Sequence, residues 1–129
     1  MAYVSIAGLE VIKVVDAGNL QKERVILRMA ESTSLINFVL INSNAPDDSG
    51  QVVDLNEHVF WFPDKVANQG DYVRLYSKAG QETVQQGTYD AKPTRFHNFF
   101  WAKRSAVWNR ESNAVVIFRV QNWLSKKVL

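Results

Sequence analysis

Residues 23–31 read Glu23-Arg24-Val25-Ile26-Leu27-Arg28-Met29-Ala30-Glu31. Val25, Leu27 and Met29 recur at a period of two and share one face, while Arg24 and Arg28 fall on the other. Successive side chains leave a strand on opposite sides, so this alternation predicts a half-buried strand with a wet outer face. On the N-terminal side, residues 9–15 form an apolar run, closed by the turn signal Asp16-Ala17-Gly18-Asn19. On the C-terminal side, Leu35, Ile36, Phe38, Val39, Leu40 and Ile41 would cover both faces of a strand over 34–42, which predicts a central, covered position.

The same grammar continues along the chain. Residues 42–54, with Pro46, Asp47, Asp48, Ser49 and Gly50, read as an exposed loop. An aromatic strand over 59–62 ends at Pro63, which has no N–H for a ladder. After a turn at 64–70, residues 71–77 alternate, with Val73 and Leu75 inward and Tyr72, Arg74 and Tyr76 outward or half-buried. Residues 78–95 carry the weakest pattern, with one strand near 83–89. An aromatic segment at 97–103 and a loop around Trp108 precede a last strand at 114–120, where Val116, Phe118 and Val120 share a face. Helical periodicity is hard to find, and β-branched and aromatic runs punctuated by turn residues specify an all-β domain. About seven to nine strands at this spacing suit a β-sandwich, and a barrel is the structural alternative.

Composition bounds what such a domain can do. At 129 residues the chain suits one domain (1–129), with its core over 9–120 and a basic tail over 121–129. No apolar run approaches the roughly 20 residues needed to span a bilayer, and no basic-then-apolar leader is visible, so the expected location is cytoplasmic. The absence of cysteine excludes disulfides, thiolate metal sites and a cysteine nucleophile. Charge is uneven: residues 1–91 hold 7 Lys/Arg against 12 Asp/Glu, net −5, while residues 92–129 hold 8 against one, net +7. A basic C-terminal third fits either an anionic partner or mutual neutralisation of the two parts within one fold.

From residue 59 onward the pattern resembles a lamin tail domain, an immunoglobulin-like module. The resemblance rests on Phe60-Trp61-Phe62-Pro63-Asp64, on the stretch from Val66 through Gly70-Asp71-Tyr72-Val73-Arg74-Leu75-Tyr76, and on Asn98-Phe99-Phe100-Trp101, Val107-Trp108-Asn109 and Ala114-Val115-Val116-Ile117-Phe118. Residues 9–28 match its opening pair of strands only loosely. Gln69 stands where the family commonly has proline, Ser112-Asn113 replaces a usual Gly-Asp turn, and residues 79–92 have no counterpart. The resemblance implies an immunoglobulin-like β-sandwich without an active site, whose relatives bind nucleic acid or proteins.

Motifs for catalysis are missing. His58 and His97 stand apart and read as surface histidines at strand ends. No Gly-x-Ser-x-Gly elbow supports a triad, Asp47-Asp48 lacks EF-hand spacing, and no glycine pattern cradles phosphate. The six glycines read as positive-φ turn residues. The expectation is therefore a non-enzyme without metal or cofactor and with no evident small-molecule substrate.

Two surfaces remain. Arg95, Lys103, Arg104, Arg110, Lys126 and Lys127, interleaved with aromatics, are candidate contacts for nucleic acid or another anion. Tyr72, Arg74 and Tyr76 suit a protein interface or ordinary cross-strand packing. The reading that follows is a binding or scaffolding module for protein–protein interaction or self-association, with anion binding as the alternative.

Overall fold

The computed structural model describes residues 4–6, 8–44, 55–109 and 113–128. Its strands are β1 (Val4–Ile6), β2 (Leu9–Val15), β3 (Arg24–Met29), β4 (Thr33–Ser34), β5 (Phe38–Asn44), β6 (Leu55–Trp61), β7 (Val66–Ala67), β8 (Tyr72–Tyr76), β9 (Thr83–Tyr89), β10 (Lys92–Phe100) and β11 (Asn113–Arg119). Three of these eleven, β1, β4 and β7, have three residues or fewer, which leaves eight longer strands. The protein is all-β. No helix among the described residues is long and apolar enough to cross a membrane.

Two sheets form a sandwich. The large sheet runs β1-β2-β3-β8-β10-β9 and the small sheet β11-β5-β6, with β4 and β7 paired separately. All pairings are antiparallel except β8 with β10. That parallel pair arises because β10 inserts between β8 and β9, while β9 and β10 themselves form a hairpin.

The core follows from alternation. Val25, Leu27 and Met29 of β3, Val73 and Leu75 of β8 and Phe99 of β10 point from the large sheet into the core. They meet Phe38 and Leu40 of β5, with Phe60, Val115 and Ile117 packed at the margin. Across the interface, Phe99 lies 5.3 Å from Phe62 and 6.2 Å from Phe60, ring centre to ring centre. In β2 the inward residues are Leu9, Val11 and Val14. This phase change is produced by a bulge between Val11 and Lys13, which inserts one extra residue.

Several expectations are corrected. Residues 35–37 form a 3-10 turn capped by the Ser34 hydroxyl, so the central strand begins at Phe38. The strand of the 59–62 segment starts earlier, at Leu55, and residues 42–44, expected in a loop, belong to β5. Residues 45–54, including Pro46, Asp47, Asp48, Ser49 and Gly50, lie outside the described residues. The strand expected near 83–89 is β9, and the weakly patterned stretch 78–95 also contains the start of β10. Gly80 and Gly87 have no positive φ. Both permit close approach instead: a Cβ on Gly80 would clash with the Phe100 ring, and one on Gly87 would sit 3.0 Å from the Phe96 ring.

Candidate interaction faces

Three places concentrate polar or exposed apolar chemistry: one buried polar cluster and the two outer faces of the sandwich. In the buried cluster the Glu23 carboxylate, fully shielded from solvent, accepts from the main-chain N–H of Gly18 (3.0 Å), Val107 (2.7 Å) and Trp108 (3.4 Å) and from the Ser77 hydroxyl. A buried carboxylate is tolerable only when hydrogen bonds replace its hydration. Here those bonds pin the segment after β10 onto the β2–β3 turn and seat Trp108 in the core. A second buried pair joins His97 Nε2 to Asp71 Oδ2 at 2.9 Å, and Asp71 also accepts from the Asn68 N–H at 3.0 Å. His97 is thus a buried mid-strand residue of β10, not a surface histidine at a strand end. Its inward side is shared with Phe99, two residues on. Among the described residues, no cluster of His, Cys, Asp and Glu is placed to hold a metal ion.

The outer face of the large sheet carries Tyr72, Arg74 and Tyr76. Cross-strand register sets them against Phe96, Asn98 and Phe100 of β10 and Arg28, Ile26 and Arg24 of β3. The Arg74 guanidinium lies 4.0 Å from the Phe96 ring centre and donates to Asn98 Oδ1 (2.7 Å) and Gln85 Oε1 (3.0 Å). Burial there lowers its pKa from the ordinary arginine value. Tyr72 stacks on Tyr89 at 4.3 Å and Tyr76 on Phe100 at 5.2 Å. Burial, then the neighbouring Tyr89, raises the Tyr72 pKa. Glu10 pairs with Arg28 and Asp16 with Arg24. The donors and rings of this layer are thus largely engaged with one another, as expected of cross-strand packing.

The outer face of the small sheet is different. Val39 and Ile41 of β5, Val59 and Trp61 of β6, and Val116 and Phe118 of β11 sit side by side in register. Val116 and Phe118 share a face, as alternation predicts, and it is the outer one, because Val115 and Ile117 pack on the core. Val59 is 49% exposed, and Trp61 and Phe118 are each 44% exposed. The tail returns over this face: Trp123 meets Trp61 edge-on at 5.0 Å and is itself 54% exposed. Ile41, between Val59 and Val116, is itself buried, but exposed apolar area of the kind that Val59, Trp61 and Phe118 present marks interaction sites. The sequence signalled the apolar strands but not which of their faces would be left open.

Among the basic candidates, Arg95 stands apart from Lys103 and Arg104. Arg95 is exposed on β10, five residues before Phe100, or about 16 Å along the strand. Lys103 and Arg104 lie beyond the far end of that strand, with Lys103 Nζ 5.3 Å from the Trp101 ring centre. Lys126 and Lys127 are exposed in the tail after Trp123. Arg110 lies outside the described residues. No family model, curated protein or solved structure matches the chain.

Proposed function

We propose that the chain is a non-catalytic binding or scaffolding module, in line with its resemblance to lamin tail domains, and that it recruits a protein through the outer face of the small sheet. The observation that carries this reading is the exposure of Trp61 and Phe118 in one register row with Val39, and of Val59 in the neighbouring row with Val116 and the buried Ile41. Burying such a row on a partner returns roughly 25 cal/mol for each Å² of apolar surface, which offsets the cost of association. Aromatic anchors at the centre of a patch are typical of the residues that dominate such interfaces.

The test is site-specific photo-crosslinking in cells that express the full chain. A photoreactive residue at Phe118 is expected to capture defined protein species, and the same residue at exposed Lys13 is not. Adding Trp61→Ser is expected to abolish the capture. Equal labelling from both positions would overturn the proposal.

A further inference from the structure

The geometry points to β9 as an edge that pairs with the β9 of a second copy of this chain. The inference rests on reading the chain as an interaction module, but it uses another surface. β9 is the outermost strand of the large sheet, and its seven residues, Thr83-Val84-Gln85-Gln86-Gly87-Thr88-Tyr89, contain no charge and no proline. Its register with β10 runs unbroken from Tyr89 to Thr83, without a bulge. Protected edges in natural sheets carry charges, prolines or bulges, or are covered; β9 has none of the first three. The other edges differ. β1 is three residues long, Trp101 Nε1 donates to the Val59 carbonyl at 3.1 Å on the β6 side, and β1 lies against β11.

The phase of the ladder says which groups face outward. Trp101 N–H donates to the Tyr76 carbonyl, which extends the β8–β10 ladder, so odd-numbered residues of β10 turn their main chain toward β8. Even-numbered residues therefore turn toward β9, and Pro93, which has no N–H, correctly sits in an odd position. Thr94, Phe96 and Asn98 then bond Gly87, Gln85 and Thr83. Val84, Gln86 and Thr88 are left with N–H and C=O aimed away from the sheet, and no described residue meets them there. Only an extended backbone matches that spacing of donors and acceptors.

A second copy fits because an uncharged strand meets itself without like-charge opposition. A two-fold centred on Gln85 sets Val84 opposite Gln86 and Glu82 opposite Thr88 of the copy. The flanking carboxylates of Glu82 and Asp90 then never face each other. The pairing is antiparallel and closed by symmetry, so it stops at a dimer with one continuous large sheet.

Sedimentation velocity of the full chain at rising concentration tests this. Wild type is expected to pass from the 14.7 kDa monomer to twice that mass, with concentration-dependent slowing of amide exchange at Val84, Gln86 and Thr88. Val84→Lys with Gln86→Lys places lysines opposite one another at exposed positions and is expected to weaken association at least tenfold while leaving the circular dichroism spectrum unchanged. Trp61→Ser with Phe118→Ser is expected to leave the dimer intact. A wild-type monomer throughout, or a dimer indifferent to the lysines, overturns the β9 inference. A dimer lost only in the Trp61/Phe118 variant also overturns it and assigns self-association to the apolar face. Failure of crosslinking at Phe118 with an intact β9 dimer instead removes the apolar-face proposal alone.

Discussion

The carboxylate of Glu23 accepts the main-chain N–H of Val107 at 2.7 Å across 84 residues of chain. The same group holds Ser77, 54 residues on, and Gly18 in the adjoining turn, so one side chain fastens three segments. Removing it leaves buried donors without an acceptor, each costing about 1–3 kcal/mol. Glu23→Ala is expected to lower the unfolding free energy by about 4 kcal/mol, and Glu23→Gln, which keeps the shape but turns an NH2 toward donors, by about 2 kcal/mol. Urea unfolding with an unchanged slope measures both. Two neutral variants would mean that the cluster is not a fastening.

The β9–β10 hairpin turns on Asp90 and Ala91, with φ of 50° and 62° and Tyr89 paired to Lys92. Positive φ at both central residues is the type I′ geometry that matches strand twist and favours Asn-Gly or Asp-Gly. Ala91 carries a Cβ there at a cost of about 1–2 kcal/mol. Ala91→Gly relieves it, partly offset by the greater freedom of glycine in the unfolded chain. The expected net gain is about 0.5–1 kcal/mol, read as a rise of roughly 2–4 °C in Tm. A fall in Tm would show that the turn is not strained at this position.

That hairpin also shows where the sequence stopped being readable. Strands whose inner face is apolar announced themselves: Val25, Leu27 and Met29, or Val73 and Leu75, alternate because one side meets the core. β9, expected as one weak strand near 83–89, was signalled more faintly, because both of its faces are largely exposed and its residues have no reason to alternate. Its turn lacks the glycine that such turns favour, so nothing in the sequence marked a strand beginning at Lys92, ahead of the aromatic segment at 97–103. The Glu23 and His97 clusters were invisible for another reason: their partners lie 26 to 85 residues away, and only the fold brings them together. Tyr72, Arg74 and Tyr76 were legible as one face, since a period of two fixes that without any knowledge of neighbours.

Trp123 reaches Trp61, yet no hydrogen bond or ion pair holds residues 121–128 among the described residues. The tail therefore rests on one edge-on ring contact, of the kind worth about 0.5–1.5 kcal/mol beyond area burial. Trp123→Leu is expected to shift the Trp61 ring protons by removing the ring current, while Tm moves by no more than about 6 °C. Two-dimensional NMR with a thermal melt reads both. Unmoved Trp61 resonances would separate the tail from the face on which it is seen to lie.

Tyr72 gives the outer face of the large sheet a pH signature. Its phenol ionises near 10.0 in the unfolded chain, and burial followed by Tyr89 raises that value in the fold. Between the two values the folded state holds more protons than the unfolded one, so stability falls as pH rises. The contribution of the neutral phenol is intact below the unfolded value and is lost as pH climbs through the folded value. Tyr72→Phe cannot ionise. The unfolding free energy of wild type minus that of the variant is expected to be flat below about pH 9 and to decline above about pH 10. Taking the difference cancels the groups that lie away from Tyr72, which titrate alike in both proteins. A difference that stays flat to about pH 11 would place the Tyr72 hydroxyl in ordinary solvent and undo the packed aromatic layer assigned to this face.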